Sequence, residues 1–204
     1  MSRKTSQKKK NITGVILAGG LARRMGRIDK GLILIHGKPL IEFIIEAVKP
    51  QVDTLIINAN RNKEIYEKYG HAVISDSYGD YQGPLAGMSS CMAVVDSEYI
   101  LTVPCDSPFI PSNLGDRLYR QLKKGHADIS VATNGRRIQP VFALINVKLR
   151  DSLLAFLDRG ERRMDKWYSE QKMVKTDFSD EKQTFVNINT PEKLSMVEAV
   201  LESD

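Results

Sequence analysis

The sequence contains few cysteines and no long apolar run. Cys91 and Cys105 are the only cysteines among 204 residues, too few for the disulfide framework of a small secreted domain, so we expect a reducing, cytoplasmic environment. No apolar run approaches the roughly 18 residues that a membrane-spanning helix needs. The N-terminal segment MSRKTSQKKK is basic, but the apolar core of a secretory signal does not follow it. We therefore expect neither export nor a membrane partner.

The formal net charge of +5 is confined to the first ten residues, which contain no acidic side chain. The basic residues of this segment are Arg3, Lys4, Lys8, Lys9 and Lys10. The rest of the chain is neutral, whereas a nucleic-acid-binding domain usually has its basic excess on the folded surface. We therefore predict a disordered basic tail at residues 1–11, a single domain at residues 12–204, and no nucleic-acid partner.

Predicted strands and helices alternate along the chain. Short apolar or β-branched runs predict strands at residues 13–17, 54–59, 72–75, 99–103, 129–132, 141–145 and 185–188. Helical periodicity and capping residues predict helices at residues 39–49, 63–69, 84–95, 148–158 and 161–170, one capped by Ser112 and ending near Lys124, and one capped by Thr190 and ending near Leu201. This alternation predicts an α/β fold with a mainly parallel sheet between helices.

The segment GVILAGGLARRMGRIDKG, residues 14–31, places glycines and basic residues directly after the first predicted strand. Glycine lets backbone N–H groups approach an anion, and arginine and lysine neutralise a polyphosphate. The segment has neither the Gly-x4-Gly-Lys-Ser/Thr of a P-loop nor the Gly-x-Gly-x-x-Gly of a dinucleotide site. Polar residues follow other predicted strands at Asn58, Asp76 and Asp106, and in a parallel sheet all of them converge on one edge.

Several longer motifs resemble those of one enzyme family. LAGGLARRMGRIDKGLILIHGKPLI resembles the signature of nucleotidyltransferases that join a nucleoside monophosphate to a phosphorylated acceptor. Together with IINANR, DYQGPLAGM, PCDSPFIP, GERR and FVNINTPEKL, it resembles the MobA family of molybdenum cofactor guanylyltransferases, in the family's order over about residues 12–200. The resemblance implies a three-layer Rossmann-like nucleotidyltransferase fold.

The resemblance also implies a reaction. The family transfers GMP from GTP to the terminal phosphate of molybdopterin, releases pyrophosphate and forms the molybdopterin guanine dinucleotide cofactor, with Mg²⁺ as the metal. The acceptor phosphate is already ionised, so positioning and charge stabilisation dominate over general-base catalysis. Further partners implied by the family are transient ones, namely molybdenum-insertion and apoenzyme-delivery proteins.

Site residues follow from the positions that match the family's motifs. The resemblance implies catalytic roles for Arg24, Lys30 and Asp106, with Asp106 as the magnesium ligand. The nucleotide-binding positions that it implies, besides Lys30 and Asp106, are Leu17, Ala18, Gly19, Gly20, Asn58, Asp76, Gly83, Pro84 and Leu85. Asn187, Asn189 and Arg162 are expected at the acceptor. Cys105, Trp167 and Phe156 are expected to be packed in the interior.

Some alternatives remain open. Asp80 competes with Asp76 as the acid that binds guanine, and Arg23 is as well explained by solvent exposure as by phosphate binding. A cytidylyl- or uridylyltransferase acting on a phosphorylated acceptor uses the same chemistry with another base. A non-catalytic GTP-binding accessory protein of cofactor assembly is an alternative from a different class.

Overall fold

A computed structural model of the protein describes residues 11–18, 21–22, 28–78 and 83–202. Five residues weighed as site residues lie outside the described residues: Gly19, Gly20, Arg23, Arg24 and Asp80. The predicted basic tail lies outside them as well, except for Asn11.

The described chain contains eleven strands and seven helices. The strands are β1 (Ile12–Leu17), β2 (Leu21–Ala22), β3 (Ile28–Asp29), β4 (Leu34–Ile35), β5 (Lys38–Pro39), β6 (Thr54–Asn58), β7 (Ala72–Ile74), β8 (Tyr99–Pro104), β9 (Ile129–Thr133), β10 (Ile138–Asn146) and β11 (Met173–Asp177). The helices are α1 (Leu40–Val48), α2 (Lys63–Glu67), α3 (Pro84–Met92), α4 (Leu114–Lys124), α5 (Arg150–Asp158), α6 (Met164–Ser169) and α7 (Pro191–Leu201). None of the helices in these ranges is long and apolar enough to cross a membrane.

Seven strands form one sheet in the order β11-β9-β10-β8-β1-β6-β7. Strand β1 lies in the interior of the sheet and pairs in parallel with β6 and β8, and β7 pairs in parallel with β6. Strand β10 is antiparallel to both of its neighbours. The carboxyl ends of β1, β6, β7 and β8 therefore lie at one edge of the sheet, which is where ligands bind in open α/β sheets.

Helices cover both faces of the sheet, so the predicted three-layer α/β architecture is confirmed. Alternate residues of β1 divide between the two faces: Ile12 and Ile16 pack with apolar residues of α1 and α4, and Val15 packs with those of α3, α5 and α6. Trp167 and Phe156 are fully buried in the second of these clusters, as expected. A smaller apolar cluster joins α7 to β4 and to the start of α1. It contains Val197, Ile35 and Leu40.

Some predicted elements differ from the observed ones. Residues 185–188 form no strand, because β11 takes the edge position next to β9 and the chain then crosses in irregular conformation towards the end of β8. Strand β11 itself was missed, since its short, partly exposed sequence has no clear alternation. Helix α4 has Asn113 as its N-cap instead of Ser112. Thr190 is confirmed as the cap of α7, with its side chain accepting a hydrogen bond from the Lys193 N–H.

Candidate active site

Backbone hydrogen bonds bring the ends of four parallel strands together. The Ala18 N–H donates to the Asn58 carbonyl at 2.8 Å, and the Ala59 N–H donates to the Ile74 carbonyl at 2.9 Å. On the other side of β1, the Cys105 N–H donates to the Leu17 carbonyl at 3.3 Å. These bonds continue the strand pairing by one residue, so the residues that follow β1, β6, β7 and β8 line one continuous edge.

Lys30 and Asp106 form an ion pair at this edge. The Lys30 Nζ lies 2.7 Å from Asp106 Oδ2 and also donates to Asn189 Oδ1. Little of either charged side chain is exposed, 18% for Lys30 and 9% for Asp106. Three positions that the family resemblance singled out therefore meet, although 76 residues separate Lys30 from Asp106 and 159 separate it from Asn189.

The C-terminal segment is fixed against the end of β8 by two further bonds. The Ile188 N–H donates to the Asp106 carbonyl at 2.9 Å, and the Ser107 hydroxyl donates to Asn187 Oδ1 at 3.1 Å. Ile188 is fully buried between the two asparagines. Asn187 and Asn189 are thus held close to Asp106, and Asn189 contacts the ion pair directly.

One oxygen of Asp106 is available for a metal ion. Within the part of the chain that the structure describes, Asp106 Oδ1 is buried and has no hydrogen-bond partner, whereas Oδ2 accepts from Lys30. Mg²⁺ in nucleotide sites is commonly held by one or two carboxylates, with phosphate and water oxygens completing its shell. The described residues contain no cluster of three or more possible ligands, so a metal here depends on that single carboxylate and on the nucleotide. The donor set fits magnesium bound together with a triphosphate.

Asp76 lies between two asparagine amides. Asn58 Nδ2 donates to Asp76 Oδ1 at 2.9 Å and Asn60 Nδ2 donates to Oδ2 at 2.8 Å. In return the Asp76 N–H donates to Asn60 Oδ1 at 2.8 Å. Both amides come from the end of β6, so the strand pair β6–β7 fixes the orientation of this carboxylate. Asn58 Nδ2 also donates to the Ile74 carbonyl at 3.0 Å.

Helix α3 packs against this group, since a Cβ atom at Gly87 would lie 2.1 Å from Asn58 Oδ1. Gly83 precedes the helix with a φ of 84°, a conformation that favours glycine, and Pro84 occupies the first helical position. The Leu85 side chain is fully buried in the core, so only the backbone of this residue can face a ligand. Further along α3, the Ser90 hydroxyl accepts from the Ser77 N–H at 2.8 Å and fixes the residue after Asp76.

Comparison with known proteins identifies the family. A family model described as the MobA-like NTP transferase domain matches residues 14–174. The molybdenum cofactor guanylyltransferase of Shewanella sediminis is 50% identical over 190 residues, which cover 93% of this chain and 97% of the relative. That of Shewanella piezotolerans is 47% identical and covers 93% of each chain. The chain belongs to the MobA family of molybdenum cofactor guanylyltransferases.

The family assignment makes this chain a nucleotidyltransferase. The crystal structure of molybdopterin-guanine dinucleotide biosynthesis protein A from Archaeoglobus fulgidus matches it with a TM-score of 0.81, covering 94% of this chain and all of that one. The two sequences are only 22% identical, so this likeness bears on the fold alone.

In the transferase, Arg162 lies beside the segment that follows β7. Its guanidinium donates to the Leu157 and Glu161 carbonyls and lies 5.8 Å from the centre of the Tyr78 ring. These contacts place Arg162 beside Tyr78, which is two residues after Asp76 in the chain.

Two features of the site were not found in the sequence. Ser90 orients the segment after Asp76, but serine in a helix rich in small residues carries no signal of that role. Asp29, next to Lys30, is buried, and nothing in its local sequence indicates that burial. Cys105 is buried as expected, and burial raises the pKa of its thiol, so the thiol stays protonated.

Proposed function

We propose that the transferase moves GMP from GTP to the terminal phosphate of molybdopterin, with release of pyrophosphate. The observation that carries the proposal is the ion pair of Lys30 and Asp106 beside Asn189, with one buried Asp106 oxygen left for a metal. The relatives named molybdenum cofactor guanylyltransferase, which share about half of their residues with this chain over almost their full length, support the proposed substrates.

The reaction needs charge compensation more than proton transfer. An oxygen of the acceptor phosphate forms a bond to the α-phosphorus of GTP, and the bond to the bridging oxygen breaks, so pyrophosphate leaves with that electron pair. Both reactants are anions, and their repulsion is the main barrier to approach. Lys30 is proposed to hold the phosphates, and Arg24 is proposed to assist it.

Asp106 is proposed to hold Mg²⁺ through the oxygen that Lys30 does not use. Magnesium bound there supplies positive charge that neutralises the triphosphate.

Asp76 is proposed to bind the base. Guanine presents an N1–H and an exocyclic amine, which are donors suited to a carboxylate. Each Asp76 oxygen already accepts one amide hydrogen and retains a second lone pair for the base. The backbone of Leu17, Ala18 and the Gly83–Leu85 segment is proposed to form the walls of the nucleotide site, with Asn58 beside it.

Asn187 and Asn189 are proposed to face the acceptor phosphate, because Asn187 contacts Ser107 after β8 and Asn189 contacts Lys30, whereas Asp76 follows β7, three strands away in the sheet. Arg162 is retained as a candidate for acceptor binding, although its described contacts are on the Tyr78 side. Transient contacts with molybdenum-insertion and apoenzyme-delivery proteins remain part of the proposal.

Pyrophosphate release tests the proposal directly. Purified protein is given Mg²⁺, molybdopterin and GTP, CTP, UTP or ATP in separate reactions. Release with GTP alone, dependent on molybdopterin, is the expected result. Release with CTP or UTP instead would overturn the assignment of guanine, and GTP binding without release would indicate the accessory protein.

Asp106→Ala is the variant that tests the site. We expect it to lower turnover by on the order of 10²-fold or more, since it removes a group that compensates transition-state charge. Asp128→Ala is the matched control, because Asp128 also pairs with a lysine, Lys148, at 2.5 Å, but lies before β9 at the opposite edge. Equal activity of the two variants would contradict the role of Asp106.

A further inference from the structure

Asp29 is buried beside the catalytic candidate Lys30 and contacts the start of α2. It is 6% exposed. Its Oδ1 accepts from the Tyr66 hydroxyl at 2.5 Å and from the Gly31 N–H at 3.3 Å, and its Oδ2 accepts from Asn62 Nδ2 at 3.0 Å. Three donors thus satisfy a carboxylate that water hardly reaches. Two of these donors are Tyr66, which lies in α2, and Asn62, which is the N-cap of that helix.

The residues of this group, Asp29, Asn62 and Tyr66, are specialised for their contacts. Tyr66 is fully buried, and burial, assisted by the nearby Cys105 and Asp29, raises its pKa, so the phenol stays protonated and donates to the carboxylate. Asn62 has a φ of 51°, a left-handed conformation that asparagine tolerates better than most residues. We call these three residues the anchor. The anchor uses polar contacts at a place where apolar side chains would pack at a lower cost in free energy.

The anchor fixes the backbone on both sides of Lys30. Asp29 precedes Lys30, and Gly31, which follows it, donates its N–H to the same carboxylate. A Cβ atom at Gly31 would lie 2.6 Å from the Tyr66 hydroxyl oxygen, so the chain approaches the tyrosine as closely as glycine permits. From this fixed backbone the Lys30 side chain extends to Asp106 and Asn189.

We propose that Asp29 is a positioning residue, which, through its bonds to Tyr66 and Asn62, holds Lys30 in line with Asp106 and the nucleotide phosphates. The inference rests on the proposed function, because it takes the role of Lys30 from there. A lysine on a long side chain loses efficiency when its backbone shifts, and a misplacement of about 1 Å costs on the order of 10²-fold in rate. Asp29 itself does not touch the reacting atoms.

A double-mutant cycle separates positioning from general stability. The four proteins are the wild type, Asp29→Ala, Lys30→Ala and the double variant. The quantity measured is the dissociation constant of the Mg²⁺-nucleotide that the wild type turns over. If the wild type turns over none, the ligand is Mg²⁺-GTP. Binding remains measurable in variants too slow for turnover. We expect each single substitution to weaken binding and the double variant to bind no more weakly than Lys30→Ala alone, because Asp29 acts through Lys30.

Tyr66→Phe is the milder variant, in case Asp29→Ala does not fold. It removes one hydroxyl and keeps the ring, and we expect turnover to fall about tenfold, which corresponds to about 1.4 kcal/mol. The control is Tyr99→Phe: Tyr99 is also a buried tyrosine whose hydroxyl has a side-chain partner, Lys123, but it lies at the opposite edge at the start of β8. We expect Tyr99→Phe to keep full turnover.

Three results would overturn the inference. The first is that the losses of nucleotide affinity from Asp29→Ala and Lys30→Ala multiply in the double variant. The second is that Asp29→Ala weakens nucleotide binding while Lys30→Ala does not. The third is that Tyr66→Phe and Tyr99→Phe show equal turnover. A wild type that binds the nucleotide without releasing pyrophosphate would count against the proposed function alone, since the binding cycle would still decide the role of Asp29.

Discussion

Replacement of Gly87 by alanine forces Asn58 out of its position. Gly87 lies in α3, and a Cβ atom added there would be 2.1 Å from Asn58 Oδ1 and 2.8 Å from its Cγ, closer than such atoms approach. Asn58 is almost completely buried and is held by bonds to the Ile74 carbonyl and to Asp76 Oδ1. The side chain has to rotate away, and both bonds are then lost or badly distorted.

The expected loss of stability follows from these two bonds at Asn58. A bond to a carboxylate contributes about 1.5–3 kcal/mol and one to a carbonyl about 0.5–1.5 kcal/mol. Alanine is the better helix former and offsets up to about 1 kcal/mol. The free energy of unfolding should therefore fall by about 1–4.5 kcal/mol, which lowers the melting temperature by about 2–18 °C for a chain of this size. Nucleotide affinity should fall as well, since Asp76 loses one of its two amide partners.

Gly115→Ala is the matched control, because Gly115 also lies in a helix, α4, and is buried. Its added Cβ would lie 3.4 Å from Leu101 Cδ2 and 3.6 Å from the Gln51 carbonyl oxygen, which is ordinary contact. We expect its melting temperature and nucleotide affinity to match the wild type or the stability to rise slightly. Thermal unfolding and nucleotide titration of both variants check the prediction. If Gly87→Ala proves as stable as Gly115→Ala and binds nucleotide equally well, the reasoning from the close contact is refuted.

Two further predictions concern the Asp76 segment and pH. Ser90→Ala removes the acceptor of the Ser77 N–H, so we expect KM for the nucleotide to rise with little change in kcat, and an unchanged KM would show that Ser90 does not orient this segment. Arg117, bonded to Asp180 at 2.8 and 2.9 Å, lowers the pKa of that carboxyl, so the pair stabilises the fold above the carboxyl's ordinary pKa and less as the pH falls through the lowered one. Asp180→Asn should accordingly melt below the wild type at pH 7 and converge with it in acid, and a constant difference at all pH values would contradict this.

The sequence predicts the frame of the site better than its internal bonding. The strands that lead to Asn58, Asp76 and Asp106 are visible in the sequence as apolar runs followed by polar residues. Parallel pairing brings the ends of these strands to one edge of the sheet. The family resemblance gave Lys30 and Asn189 separate roles, and their pairing could not be predicted, since no local pattern relates residues 159 positions apart.

The anchor at Asp29 could not be predicted from local sequence at all. It depends on the Tyr66 hydroxyl reaching a residue 37 positions earlier in the chain, and an aspartate beside a lysine has the same sequence appearance whether it is buried or exposed. The prediction of the edge strand β11 failed for a related reason. Whether a short, half-exposed segment forms a strand depends on the neighbour that it pairs with and not on its own periodicity.

Three aspartates near the site differ in how much of their hydrogen-bonding capacity the protein uses, and this difference matches the roles proposed for them. Both oxygens of Asp29 accept from protein donors in the core, which suits a positioning residue. Each oxygen of Asp76 accepts a single amide at a half-buried position and can still accept a donor from a base. Of the three, only Asp106 has a buried oxygen that receives no donor from the described residues, and such an oxygen costs free energy unless a cation takes it.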